Sequence, residues 1–257
     1  LAGFERPTSG RIILDGVDIT DMPPYQRPIN MMFQSYALFP HMTVAQNIAF
    51  GLKQDKLPAA EIDARVADML KLVQMSQYAK RKPHQLSGGM RQRVMIALAF
   101  SCDPDLLIAD EPTTALDVTV QRQVLRLLRQ KARSTGTAVL FISHDMAVVS
   151  QICDRLYVMY AGSVIESGTT GTVLADPYHP YSNGLLECSP ENSESRAELA
   201  SIPGTVPNLA KLPTGCAFRE RCFAAGAKCS ETPRLISTGA EGQQAACWYP
   251  QQERRHV

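Results

Sequence analysis

The sequence lacks an excess of either charge, any long apolar run and any recognisable leader. Its 257 residues carry 26 Lys and Arg against 25 Asp and Glu, so the near-zero balance shows no electrostatic footprint of a general nucleic-acid binder or a polybasic membrane anchor. The longest stretch free of Lys, Arg, Asp and Glu runs from Pro28 to Leu52, but Gln34, Pro40, His41, Gln46 and Asn47 interrupt it, which excludes a bilayer span. The first residues, LAGFERPTSG, have neither the basic start nor the apolar core of a secretory signal, and Leu1 stands where a Met is usual. Without an export signal, the seven cysteines read as reduced cytosolic thiols or metal ligands. Also absent are any Gly-Lys dipeptide and any Lys followed by Ser or Thr. What remains is 45% hydrophobic and 20% charged, the composition of a globular chain with one large or two modest domains, and not of a disordered, collagenous or coiled-coil chain.

Along the chain, Leu1 to Phe4 read as a helix end running into a turn, with Gly3 as its cap. Arg11 to Leu14 and Val17 to Ile19 flank Asp15-Gly16, a hairpin signal, and Ile29 to Phe33 is a short apolar strand. Thr43 with Gln46 predicts a capping box and a helix to about Gly51. Pro58 opens a second helix with Ile62, Val66, Met69, Leu70 and Val73 on one face. From Leu86 the pattern alternates: helix Arg91 to Phe100, strand Leu106 to Ala109, helix Val118 to Arg133, strand Ala138 to Ile142, helix Met146 to Cys153. This alternation predicts an α/β fold with a parallel sheet and its ligand chemistry at the carboxyl ends of the strands. Two short strands, Leu156 to Tyr160 and Ser163 to Glu166, follow. After Gly168 the composition shifts toward Pro, Ser, Gly and Cys, placing a domain boundary there.

The strongest local signal is LLIADEP, Leu106 to Pro112, an apolar strand that ends in two carboxylates. Neighbouring strand residues point to opposite faces, so Asp110 and Glu111 take different tasks. One suits Mg²⁺, and the other suits a reacting water as general base. Taken alone, a strand followed by Asp-Glu reads more often as a turn with two exposed acids. Upstream, LSGGMRQR opens a helix with Ser87, Gly88 and Gly89, presenting bare N–H groups at a positive helix end where phosphate binds well; a plain N-cap has the same appearance. Asp117 follows TTAL, His144 stands just past the strand Ala138 to Ile142, and Gln34 ends the strand INMMF.

In this order the five motifs resemble those of the ATP-binding cassette (ABC) transporter ATPases: Gln34 the Q-loop, LSGGM the signature, LLIADE the Walker B strand, Ala115-Leu116-Asp117 the D-loop and His144 the switch histidine. The resemblance implies a P-loop-type α/β ATPase that binds ATP and Mg²⁺ and works as a head-to-tail pair with a second ATPase subunit. Ser87, Gly88 and Gly89 would close over the partner's γ-phosphate, Glu111 would be the catalytic carboxylate, Asp110 with Gln34 would serve Mg²⁺, and His144 and Gln34 would orient water and phosphate. It further implies two transmembrane permease subunits, an external or periplasmic substrate-binding protein, a peripheral position on the cytoplasmic face of the membrane, and no nucleic-acid partner. The family's G-x-x-x-x-G-K-[ST] loop is not among these residues. By resemblance LAGFERPTSG follows that loop, so the chain is expected to begin just downstream of it and to hold ATP poorly in its own site, while its signature serves a partner's nucleotide.

Residues 1–89 resemble spermidine and putrescine importer ATPases, whereas residues 90–257, including HPYSNGLL, resemble dipeptide and oligopeptide importer ATPases. The expected organisation is an ATPase domain over residues 1–168, with a helical subdomain at about 35–100, and a peptide-importer-type region over 169–257. Four cysteines, Cys216, Cys222, Cys229 and Cys247, fall in that last region. Their spacing is wider than zinc knuckles use, and the surrounding TGCAFRERC and ACWYP resemble termini that in some peptide importers hold a 4Fe-4S cluster.

Overall fold

The computed structural model describes residues 1–32, 38–114, 116–188 and 201–249, and the chain divides into two compact units, Leu1–Ile142 and Ser143–Val257. In the first unit, strands β1 (Ile13–Leu14) and β2 (Val17–Asp18) pair antiparallel about Asp15 and Gly16, both at positive φ (47° and 79°), as the DG pair predicts. Residues 1–4 form no helix. The side chain of Arg27 takes up their polar ends instead: its guanidinium donates to the carbonyls of Leu1 (2.5 Å), Met22 (2.7 Å) and Thr20 (3.0 Å). A buried arginine with three carbonyl partners competes successfully with a short helical turn.

Strand β3 (Ile29–Met32) is followed by helices α1 (Val44–Gln54), α2 (Ala59–Leu72) and α3 (Gly88–Phe100), strand β4 (Leu106–Asp110), helix α4 (Val118–Thr135) and strand β5 (Ala138–Ile142). The α1 capping box is present as expected: Thr43 Oγ1 accepts from Gln46 N–H at 3.2 Å and Gln46 Oε1 accepts from Thr43 N–H at 2.8 Å. On α2 the stripe Ile62, Val66, Met69 and Leu70 is buried, with Val73 just beyond its end. Helices α1, α2 and α3 pack on one another, and α3 also packs on β3 and α4.

The strands form a parallel sheet in the order β3-β4-β5, with Ile29 opposite Leu106 and Leu106 opposite Ala138. Central placement explains why LLIAD is an unbroken apolar run up to its last residue: Leu107, Ile108 and Ala109 are buried on both faces. The alternation of strand and helix in the sequence thus corresponds to parallel crossovers that bring the ends of β3, β4 and β5 to one edge.

The second unit contains helix α5 (Met146–Ile152), strands β6 (Arg155–Tyr160) and β7 (Ser163–Thr169), helices α6 (Thr170–Ala175) and α7 (Pro180–Glu187), and strands β8 (Ile236–Ser237) and β9 (Gln244–Ala245). Its sheet is antiparallel in the order β6-β7-β9-β8. The compositional change after Gly168 falls inside β7, and the Pro- and Cys-rich residues beyond it return β9 to pair with that strand, Glu166 opposite Ala245. Val149, Leu156, Val158, Tyr160, Ile165, Val173 and Phe218 form the unit's core.

Candidate functional site

The carboxyl end of β4 is the centre of the first unit's chemistry. Asp110 is its last strand residue, and Glu111 leaves the strand with φ 45°, a left-handed conformation that costs a non-glycine residue roughly 1 kcal/mol. The expected divergence of the two acids therefore comes from a backbone reversal at Glu111 and not from strand alternation. Three bonds define the reversal. Glu111 N–H donates to the carbonyl of Ile142 on β5 (3.0 Å), Thr114 N–H donates to Glu111 O (3.2 Å), and Thr114 Oγ1 donates to Glu111 Oε2 (2.9 Å). Gln92 is buried on α3 and its amide donates to the carbonyl of Pro112, so the signature helix grips the DEP turn directly. Sequence reasoning had passed over Gln92. Its only signal was its place within LSGGMRQR, three residues past Gly89.

The start of α3 lies beside the start of α4. Ser87 is the N-cap of α3, its Oγ accepting from Met90 N–H at 3.3 Å, so the helix begins at Gly88 and not at Arg91 as its apolar pattern suggested. A Cβ on Gly89 would lie 2.5 Å from Val120 Cγ1, so glycine is what permits the two helices to approach. Val120 N–H is in turn capped by Asp117 Oδ1 at 2.9 Å. The structure thus brings Ser87, Gly88 and Gly89 to a partly exposed helix N-terminus and commits Asp117 to the neighbouring cap. His144 belongs to the second unit, next to Asp145, whose carboxylate caps α5. Gln34 and Ala115 lie outside the described residues.

In the second unit His179 and Glu166 are buried. Glu166 accepts from Tyr178 N–H (2.8 Å), His179 N–H (2.9 Å) and the Gln243 amide (2.9 Å), tying the start of α7 and the residue before β9 to β7. The imidazole Nδ1 of His179 accepts from Tyr181 N–H (3.0 Å), and burial lowers its pKa to about 4. Phe218 lies against Tyr160 and Tyr181, with ring centroids 5.2 and 5.4 Å away.

The four carboxyl-terminal cysteines lie close enough to influence one another. Burial pushes the Cys247 thiol up to about 11, with smaller upward contributions from Cys222, Cys216 and Cys229, and burial raises Cys216 too. Cys247 Sγ donates to Tyr249 O (3.3 Å), and Cys216 N–H bonds to Cys229 O (3.0 Å). Among the described residues no three His, Cys, Asp or Glu form a group that could hold a metal ion. The cluster expected at Cys216, Cys222, Cys229 and Cys247 is therefore not supported by the arrangement of the described residues.

These features define a cassette ATPase domain joined to a distinct carboxyl-terminal region. Residues 1–114 match the ABC transporter family, and residues 165–229 match the family described as "Oligopeptide/dipeptide transporter, C-terminal region". The chain is 42% identical over 262 residues to the oligopeptide transport ATP-binding protein OppD of Salmonella typhimurium, spanning 96% of this chain and 78% of that protein. It is 65% identical over 196 residues to the probable D,D-dipeptide transport ATP-binding protein DdpD of Escherichia coli, spanning 75% of this chain and 60% of that one. The putrescine transport ATP-binding protein PotG of Escherichia coli is 50% identical over 182 residues, 71% of this chain and 48% of that protein. Among solved structures, a dimeric post-hydrolysis state of the ATP-binding cassette MJ0796 bound to ADP and phosphate superposes with a TM-score of 0.58 at 27% identity, over 66% of this chain and 77% of that one. The chain belongs to the ABC transporter ATP-binding family. Both halves of the mixed resemblance, to peptide and to putrescine transport subunits, are present among its relatives. No helix among the described residues is long and apolar enough to cross a membrane.

Proposed function

We propose that the chain acts as an ATP-hydrolysing, energy-coupling subunit of an importer for dipeptides or oligopeptides. The observation that carries this reading is the turn at Glu111: a carboxylate set at the end of a buried parallel strand in a left-handed backbone, pinned to β5 through Ile142 and gripped by Gln92 of the signature helix. Such over-determined backbone is typical of catalytic positions. Glu111 is positioned to take a proton from the attacking water. Asp110, half-exposed at the strand end, suits Mg²⁺, which needs few protein carboxylates when phosphates supply the remaining oxygens; the ion would neutralise charge on the transferring phosphoryl group. Ser87, Gly88 and Gly89 close over a nucleotide held by a second cassette, as the dimeric ADP- and phosphate-bound relative suggests. His144 and Gln34 orient the water and the γ-phosphate. From the cytoplasmic face of the membrane the chain passes the conformational work to two transmembrane permease subunits, which an external binding protein feeds.

The peptide class rests on the carboxyl-terminal match at residues 165–229. The likeness of residues 1–89 to polyamine importers and the 50% identity to PotG favour a second reading, a putrescine or spermidine permease as partner. The test is phosphate release from the chain assembled with a peptide permease or with a polyamine permease. Stimulation by the peptide system, abolished in Glu111→Gln, is the expected result. Stimulation by the polyamine system alone would replace the substrate class, and release that Glu111→Gln leaves unchanged would overturn the catalytic assignment.

A further inference from the structure

The turn that carries Glu111 contains two successive threonines, and the chain uses them differently. Thr113 is buried; its Oγ1 accepts from the side-chain amide of Gln121 on α4 at 3.3 Å, and its carbonyl accepts from Leu116 N–H at 3.2 Å. Thr114 is exposed. Its backbone N–H donates to Glu111 O at 3.2 Å and its Oγ1 donates to Glu111 Oε2 at 2.9 Å, so one residue holds both the main chain and the carboxylate of Glu111. The backbone bond closes a four-residue turn with Pro112 in second place, where the fixed φ of proline is favoured. With Pro112 O bonded to Gln92 and Glu111 N–H bonded to Ile142 O, the segment from which Thr114 reaches back is anchored to α3, α4 and β5.

The turn itself does not require this hydroxyl. Its closing bond comes from the Thr114 N–H, which any residue except proline supplies. Burial does not require it either, because at an exposed position water satisfies a hydroxyl as well as a carboxylate does. What the side-chain bond adds is order in Glu111. A glutamate has three rotatable torsions and samples several rotamers at the end of a strand unless a neighbour holds it. Threonine is β-branched and stiff about χ1, so its Oγ1 is a firm point of attachment. A hydroxyl also suits a group that takes up a proton: it donates to the carboxylate and accepts in turn once Oε2 bears hydrogen, whereas Lys and Arg have no acceptor and hold only the ionised form.

Resting on the reading of Glu111 as the group that takes a proton from the attacking water, we infer that Thr114 is a positioning residue for hydrolysis, its hydroxyl fixing the Glu111 carboxylate in the orientation from which it deprotonates that water. The proton passes from water to Glu111, and Thr114 neither gains nor loses one. Selecting one rotamer in advance is worth about tenfold in rate.

The test is ATP-driven phosphate release by the assembled transporter carrying the native chain, Thr114→Val, Thr114→Ser, Glu111→Gln or Thr114→Val/Glu111→Gln. Valine keeps the branched shape and the backbone N–H and removes only the hydroxyl. Thr114→Val is expected to lower kcat about tenfold with KM for ATP within about twofold of native, and Thr114→Ser, which keeps the hydroxyl on a looser side chain, to stay within about threefold of the native kcat. In the Glu111→Gln background the valine change should cause no further loss, because the proton acceptor it acts through is gone. Should Thr114→Val lose its circular dichroism, Thr114→Ala carries the same measurement. If valine and alanine both unfold the chain while serine does not, the hydroxyl is structural and the proposal falls. It falls equally if Thr114→Val leaves kcat unchanged, raises KM instead, is matched by Thr114→Ser, or costs as much beside Glu111→Gln as alone; each of these leaves Glu111 in its role. Release that Glu111→Gln does not alter would overturn the reading of Glu111 and this inference with it.

Discussion

At the residue scale, Gln92 joins the signature segment to the turn at Glu111 through a buried hydrogen bond to Pro112. Replacing it with Leu leaves that carbonyl unpaired, a cost of about 1–3 kcal/mol, and loosens the turn that presents Glu111. Gln92→Leu should lower the melting temperature and reduce phosphate release of the assembled transporter more than nucleotide affinity. A second buried residue makes the protein sensitive to acid. His179 titrates at about 4 when folded and near 6.5 when unfolded, so between these values the unfolded chain binds the additional proton. Its contribution is complete above pH 6.5 and declines as the pH falls toward 4, by about 3 kcal/mol in all. Melts at pH 7 and pH 5 should show a larger acid loss for the native chain than for His179→Asn, which keeps a capping side chain but no titrating group. The HPY segment was conspicuous in the sequence as a resemblance. Its tie through the His179 backbone N–H to Glu166, which also holds Gln243, was not legible, because these partners lie on β7 and before β9, 13 and 77 positions apart.

At the element scale, the helices and strands with local signals were read correctly where the chain itself supplied the ends. Thr43 and Gln46 close a capping box, Asp15 and Gly16 turn a hairpin, and Pro58 opens α2. Departures arose where a side chain from elsewhere intervened. Arg27 replaces the helical turn expected at residues 1–4, whereas α3 opens at Ser87 as the LSGGMRQR segment itself signals. Helix α4 ends on Gly136 at φ 73°, with open space where a Cβ would stand. Gly136→Ala should therefore destabilise the first unit by about 1 kcal/mol through backbone strain alone, without a clash. Urea titration followed by circular dichroism would measure it, and Gly136→Asn should lose less because Asn tolerates the left-handed region.

At the scale of the whole molecule, the two units have separate cores. Phe218 sits within the second unit's cluster against Tyr160, Tyr181 and His179. Phe218→Ala should cost about 3–5 kcal/mol there. Calorimetry should show a lowered transition for the second unit and an unchanged one for the first; a single transition that shifts as a whole would show that the two unfold together. From its sequence alone this protein was already determined as an α/β cassette ATPase relative with a peptide-importer-type carboxyl-terminal region. Strand and helix periodicity, caps and short motifs are written in neighbouring residues, and their order along the chain is sufficient to define the family. The tertiary structure alone decided which side chains meet: Gln92 with Pro112, Glu111 N–H with Ile142, Glu166 with Gln243, and the four carboxyl-terminal thiols near one another. Those pairings join residues far apart in sequence, and no local pattern encodes them; they exist because close packing brings distant segments together and buried polar groups must find partners there.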